Sequence, residues 1–332
     1  MSKKLNNLQV LRGFAALNVA FFHIIGTSSS YGFGVHHLNI FEGWGYSGLD
    51  IFFVLSGFIM VYIQRNKEIS PAIFFMDRLI RIAPLYWFLT IIVLIAASIS
   101  PSIFRSNISD IKIHSLLSIL FMSQYLLGKM PVLFDGWSLE YEMLFYLIIS
   151  LALLFKKKNI TYLFTVTLIS LLIIFNLLGI VAFEFIFGIF LGNIFLYSKK
   201  NINIHFFCLF IGLILYILTL AVFRLDGGIY THRIFLFGLP ASLVIFGLLG
   251  ISQIHEGFLT KLGDASFSIY LIQVFTIPAF YKLMILSNSF GILSHDLLAV
   301  VCLVFTAVGG YLLYEIVEIR LTKLVRAFFP RI

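Results

Sequence analysis

The sequence predicts an all-α fold, a polytopic bundle of about ten membrane-spanning helices, and three observations carry that expectation. Of the 332 residues, 61% are hydrophobic and 11% charged, with a mean hydropathy of +1.04, whereas a soluble domain has roughly 25% charged and about 45–50% apolar residues. No water-soluble fold of this size could bury so much apolar surface, so lipid must be the solvent for most of it. Apolar runs approaching the ~20 residues of a membrane span recur from end to end. The basic residues behind the net charge of +8 sit in short clusters between those runs, as topology signals do. No stripe of Lys/Arg interleaved with polar aromatics is present, which excludes nucleic-acid binding.

Taken in order, the runs place spans at 8–27, 46–64, 82–100, 137–155, 159–176, 179–197, 204–223, 233–251, 266–286 and 296–316. The fifth and sixth are parted only by the turn-like Asn176–Gly179. Residues 112–127 are too short for a span and are expected to lie on, or dip into, the outer surface. With ten spans both termini share a side. That side holds Lys3, Lys4, Arg65, Lys67, Arg78, Arg81, Lys156, Lys157, Lys158, Lys199, Lys200, Lys261, Arg320, Lys323, Arg326 and Arg331. The other side holds Arg105, Lys112, Lys129, Arg224, Arg233 and Lys282. The imbalance puts both termini in the cytoplasm. Counting 112–127 as a span would turn the lysine triplet and the basic C-terminal tail outward. Lys3 and Lys4 precede an apolar stretch as in a signal peptide, but Arg12 interrupts it, so it is read as a retained first span. Cys208 and Cys302 lie in apolar runs and suggest neither a disulfide framework nor a metal site. With no linker or soluble insertion, residues 1–332 read as a single membrane domain. The lack of an internal repeat disfavours the inverted-repeat transporter folds.

An ionisable residue inside a span is costly and marks a functional hypothesis. The candidates are Arg12, His23, Asp50, Glu140, Glu142 and Glu184. Arg12 and His23 are eleven residues apart, about 1100° of rotation, within roughly 20° of three full turns; they share a helix face about 16 Å apart along the axis. Snorkelling to headgroups is the plain alternative for Arg12, and a satisfied interior imidazole for His23. Asp50 opens the second span near the outer level, as His23 closes the first. Ser56-Gly57 reads as a close-packing pair. Glu142 lies about 7–8 Å below Trp137 and shares a face with Tyr146. Glu140 points elsewhere and reads as a solvated interfacial charge. A carboxylate beside a histidine can fix its tautomer and stabilise the imidazolium, and Glu142 and Asp50 compete for that role. Arg78 and Arg81, at i,i+3 ahead of Ile82, present two guanidinium forks at the membrane edge. They suit phosphate binding or simple anchoring beside a Tyr/Trp belt.

Seven stretches resemble the membrane-bound acyltransferase family 3, in the family's order and over nearly the whole chain. They are LQVLRGFAALNVAFFH (8–23), GLDIFFVLSGFIM (48–60), RLIRIAPLYWF (78–88), WSLEYEMLFYL (137–147), EFIFGIFLG (184–192), KLGDASFSIYLIQ (261–273) and YEIVEIRLTKL (314–324). The YEM wording is similar to the branch that acylates exopolysaccharides. The chain departs from the family pattern at Gln273, often histidine, at Phe267, often tyrosine, and in lacking a proline shortly after Glu318.

The resemblance implies an O-acyltransferase of the bacterial inner membrane, most simply an O-acetyltransferase. Its donor is acetyl-CoA or another short-chain acyl-CoA, with no metal. Its acceptor is a carbohydrate: an exopolysaccharide, its lipid-linked precursor or another surface glycan. It also implies that Arg12 and His23 are the central pair, that Arg78 and Arg81 matter for function, and that Glu142 is the acidic position of the WSL motif. A mechanism fits these placements. Arg78 and Arg81, with Arg12 as a third cation, hold the CoA phosphates at the inner face. The pantetheine arm carries the thioester inward. His23 acts as general base on a sugar hydroxyl arriving from outside, oriented by Glu142 or Asp50. An acyl-histidine intermediate is the rival route. A glycan or anion transporter or flippase accounts for the helices and interior charges equally well, but not for the ordered motifs. A structural subunit of a polysaccharide assembly complex would tolerate substitution at His23 and Glu142.

Overall fold

The computed structural model describes residues 5–65, 69–99, 111–197, 201–226, 232–287 and 294–329. The described residues form helices and turns, with no strand among them. In chain order the helices are α1 (Asn6–Ser28), α2 (Tyr46–Gln64), α3 (Pro71–Ile99), α4 (Ile111–Ile119), α5 (Ser123–Leu127), α6 (Gly136–Ala152) and α7 (Lys158–Ile174). There follow α8 (Phe183–Tyr197), α9 (Ile202–Asp226), α10 (Leu239–Gly250), α11 (Phe258–Asp264), α12 (Ser266–Leu286), α13 (His295–Leu313) and α14 (Ile319–Phe328). Two π-helical turns, Ile234–Gly238 and Tyr314–Glu318, lead into α10 and join α13 to α14.

The all-α expectation holds. Among the described residues, eight helical stretches are long and apolar enough to cross a membrane, and two further apolar helices, Lys158–Ile174 and Ile234–Gly250, are shorter. These two rise only about 25 Å, against a hydrocarbon core of about 30 Å. The protein is a multi-pass membrane protein, and large apolar side chains stand exposed on its helices, among them Leu163 (67%) and Phe207 (64%). Of the basic residues weighed for orientation, Lys3, Lys4, Lys67, Arg105, Lys199, Lys200 and Arg331 lie outside the described residues, as does the side chain of Arg224.

Two boundaries differ from the sequence reading, at the start of α3 and the end of the last helix, while the short 112–127 segment behaves as it reads. α3 starts at Pro71 rather than at residue 82. Proline suits a first helical position, and the charged turn Asp77–Arg81 that excluded these residues from an apolar window is no obstacle to a helix. Residues 112–127 do not span: they break into α4 and α5 at Phe121, whose φ is 58°. The last helix runs on past residue 316, through its π turn, to Phe328.

The chain divides into two compact units. Unit 1 comprises residues 1–67 and 178–311, and unit 2 residues 68–177 and 312–332. Unit 1 is held where glycines let backbones touch. A Cβ at Gly57 on α2 would overlap the Phe185 carbonyl of α8, and one at Gly188 the Val54 carbonyl of α2. Gly48 faces the Ala15 carbonyl and Val19 of α1, and Gly13 meets Gly263 of α11. The close packing expected of the Ser56-Gly57 pair is thus realised at Gly57. The start of α1 is clasped by polar bonds: Asn7 Nδ2 donates to Leu248 O (3.0 Å) and Ser252 O (3.1 Å), and its Oδ1 accepts from Ile254 N (3.0 Å). Beyond α1, Asp296 accepts the amides of His36, His37 and Leu38 at 2.9, 3.1 and 3.4 Å.

In unit 2, α3 and α6 pack antiparallel. The Tyr86 ring fills the space over Gly136, where a Cβ would come within 2.6 Å of it. At the other end Ser150 Oγ donates to Pro71 O at 2.8 Å. α14 packs on α3 as well.

Gly57→Leu should overpack the α2–α8 contact and cost about 1–3 kcal/mol or more. Thermal unfolding in detergent measures it, and melting at the wild-type temperature would contradict the close approach.

Candidate active site

α1 is continuous from Asn6 to Ser28, so the three-turn spacing of Arg12 and His23 survives in the folded chain. Arg12 Nη1 donates to Gln9 Oε1, one turn earlier, at 3.2 Å. It lies beside the Gly13–Gly263 crossing, so the KLGDASF motif packs on the Arg12 end of α1. His23 is half-buried, with its ring edge-on to Phe22 at 5.0 Å. Phe22 in turn packs on Tyr46 at 4.5 Å.

The structure does not bring Asp50 level with His23. α1 and α2 run antiparallel, with Gly45 against Phe22 and Gly48 against Ala15 and Val19. Asp50 therefore sits roughly 10 Å along the axes from His23, towards the Arg12 end. Its carboxylate is engaged there: Arg233 Nε donates to Oδ1 and Nη2 to Oδ2, both at 2.9 Å, with Asp50 fully buried. This bidentate pair is strong because both partners are withdrawn from water and both carboxylate oxygens are matched. The Arg233 guanidinium also stacks over Tyr46 at 5.5 Å. Glu184, at the start of α8 and fully buried, lies within reach of Asp50. Its side chain rests on Gly238 in the π turn. Tyr216 of α9 acts electrostatically on the same carboxyls, and its hydroxyl donates to Phe237 O at 3.4 Å.

Sequence reasoning missed this cluster. From the sequence Arg233 counts among the outer-side charges, and Glu184 is a candidate with no partner assigned. The available signal was charge balance: two buried acids in an apolar bundle require a cation, and Arg233 stands at the edge of a span.

Unit 2 assembles a second cluster. In the register set by Tyr86–Gly136 and Ser150–Pro71, Arg78 is level with residues 143–144 of α6, about 10 Å in from the start of α3. Its Cζ is 6.0 Å from the centroids of both Phe74 and Tyr146, and its Nε is buried without a hydrogen-bond acceptor. The Tyr146 hydroxyl donates to Glu142 Oε1, which realises the shared face expected of that pair. Arg81 acts electrostatically on Arg78 and on Tyr146, and Glu142 on both. The structure thus gathers around Tyr146 three residues, Arg78, Arg81 and Glu142, that read as separate features in the sequence. The physical reason is the early start of α3, which carries the arginines into the helix pair.

Glu140 is also corrected. It is no solvated charge: it is fully buried, and its two oxygens accept the Ser123 and Gln124 amides, each at 2.9 Å, capping α5. Burial pushes the neighbouring Tyr125 phenol above its ordinary pKa, as do Tyr141 and Glu140. Among the described residues no group of three or more His, Cys, Asp or Glu is placed to hold a metal ion.

The motifs that hold the half-buried His23 and the paired arginines follow one another in an order that gives the protein's class. The chain belongs to acyltransferase family 3, whose acyltransferase domain matches residues 5–315. Among characterised proteins it is similar to the exopolysaccharide production protein ExoZ of Rhizobium meliloti (strain 1021), with 36% identity over 127 residues, 37% of this chain and 38% of ExoZ. The chain therefore aligns with well under two thirds of that relative's length. No solved structure matches it.

Arg233→Met should destabilise unit 1 by about 3–5 kcal/mol, because it strands a buried carboxylate. The double variant Asp50→Leu/Arg233→Met should recover much of that loss, and chemical unfolding in mixed micelles compares the two.

Proposed function

We propose that this protein is an acyl-CoA-dependent O-acyltransferase, most simply an O-acetyltransferase, that modifies sugar hydroxyls of an exopolysaccharide, its lipid-linked precursor or another surface glycan. We place it in the bacterial inner membrane as one catalytic domain with ten spans and both termini cytoplasmic. Family membership over 5–315 supports acyl transfer, and the likeness to an exopolysaccharide production protein supports a polysaccharide acceptor.

One observation carries the donor assignment: the Arg78 guanidinium is buried beside Arg81 with an Nε that lacks an acceptor. A buried donor without a partner is costly, and the phosphates of acyl-CoA are acceptors of the right charge and geometry for paired guanidinium forks. Glu142, through Tyr146, supplies the counter-charge that keeps the arginines in place before the donor arrives. Asp50, whose oxygens are taken by Arg233, serves unit 1 as a fixed counter-ion and leaves His23 to other partners.

His23 acts as general base. Its imidazole takes the proton of the acceptor hydroxyl as the sugar oxygen attacks the thioester carbonyl. The C–O bond forms, the C–S bond breaks, and the imidazolium returns the proton to the departing CoA thiolate.

Purified protein with radiolabelled acetyl-CoA and a glycan acceptor tests the reading, because a transporter would leave the thioester intact. His23→Ala, with membrane insertion verified, should lower turnover by about 10²-fold or more. Turnover at the wild-type level would remove His23 from the chemistry, and recovery of acylated His23 would replace direct transfer with a covalent route.

Arg78→Ala should weaken acetyl-CoA binding and flatten its dependence on salt, since a phosphate contact is lost. Titration calorimetry at several salt concentrations reads both, and unchanged affinity at every salt concentration would exclude the phosphate role.

A further inference from the structure

We propose that Asp50 and Glu184 bind one proton between them, so that with Arg233 they form an electrically neutral triad inside unit 1. This does not depend on the acyltransfer reading.

The inference rests on counting charges and donors in a closed site. Glu184 and Asp50 are both fully buried, and both Glu184 oxygens lie out of solvent contact with no hydrogen-bond donor facing them. The ionisable groups from the surrounding elements are Tyr46 and Asp50 on α2, Glu184 on α8, Tyr216 on α9 and Arg233 ahead of the π turn. Among the described residues Arg233 is their one cation, and it directs Nε and Nη2 at Asp50. The Tyr216 hydroxyl is turned to the Phe237 carbonyl. Two ionised carboxylates would therefore leave one uncompensated negative charge in an apolar bundle, at a cost no fold bears when a proton can remove it.

The geometry also says where that proton goes. The two carboxyl groups act directly on each other, on helices whose backbones touch at Gly57 and Gly188, yet ionised carboxylates only accept. A single proton on Glu184, donated towards Asp50, converts the repulsion into a hydrogen bond and leaves Asp50 ionised for Arg233. This is the arrangement expected when two acids share a site. A metal cation is the other way to supply positive charge, but it needs several free oxygens around it, and both Asp50 oxygens already accept from Arg233. Gly238 fits the same account: a Cβ there would come within 3.0 Å of Glu184 Cγ and 3.3 Å of Oε1, so the π turn closes over the carboxyl and keeps water out.

The test is infrared spectroscopy of the purified full-length protein in detergent at neutral pH. The wild type should show the C=O band of a protonated carboxyl, shifted in D2O and lost in Glu184→Gln. The variant should melt within about 2 °C of wild type, because the glutamine amide donates to Asp50 as the carboxyl did. A band of unchanged intensity in Glu184→Gln would overturn the proposal. So would a wild-type melting temperature that rises when sodium replaces choline at constant ionic strength, since that would mark a bound cation. If Glu184→Gln does not fold, wild-type protein carrying ¹³C-carboxyl glutamate or aspartate decides the matter. A protonated-carboxyl band that moves with either label supports the shared proton, and its absence from both samples refutes it.

Discussion

Helix-to-helix distance at a handful of glycines governs this structure. In an apolar solvent there is little hydrophobic drive to bring helices together, so they associate by close packing where small residues admit a neighbouring backbone. Gly57 and Gly188 lock α2 to α8, Gly48 seats α2 on α1, Gly13 and Gly263 cross α1 with α11, and Gly136 receives the Tyr86 ring between α6 and α3. Each contact fixes a register as well as a distance. Those registers decide which polar side chain meets which: Asp50 comes opposite Arg233 and Glu184, and Arg78 comes level with Glu142 and Tyr146. A methyl group at one glycine would thus move charges a full turn or more away.

The two units meet the same electrostatic demand differently. Unit 1 closes its charges into a sealed set, with both Asp50 oxygens matched and Glu184 covered by the π turn. Such a set rigidifies the fold and leaves little for a ligand to gain. Unit 2 leaves a guanidinium nitrogen without an acceptor and spends Glu142 on a tyrosine hydroxyl. That imbalance is the usual mark of a place where something else binds. Burial alone does not separate a structural charge from a functional one; Glu184 and Arg78 both hold buried atoms without a partner, but a proton suffices for the carboxyl, whereas the guanidinium needs an acceptor from elsewhere.

Much of the architecture was legible in the amino-acid order because apolar runs map directly onto helices in lipid. The short 112–127 segment, the pairing of Glu142 with Tyr146 and the packing role of Gly57 all follow from local spacing. What was hidden is what depends on partners distant in sequence. Arg233 and Asp50 are joined across more than half the chain, and no periodicity encodes such a meeting. The early start of α3 was hidden for another reason: apolarity marks where lipid lies, while the helix continues through charged turns that lipid does not touch. Glu140 misled because a carboxylate next to a tryptophan near a helix start looks like an interfacial charge. Its partners are the backbone amides of a five-residue helix that a sequence scan does not resolve.

The Asn7 clasp carries a lesson for biosynthesis. Three hydrogen bonds tie the side chain of the seventh residue to carbonyls and an amide at positions 248, 252 and 254, and Gly13 awaits Gly263. α1 therefore finds these partners only after the roughly 240 residues between them have been made. Until then α1 sits in the bilayer with Asn7 and Arg12 lacking their final surroundings, an intermediate exposed to off-pathway association. Slow synthesis between α2 and α10 would prolong that interval.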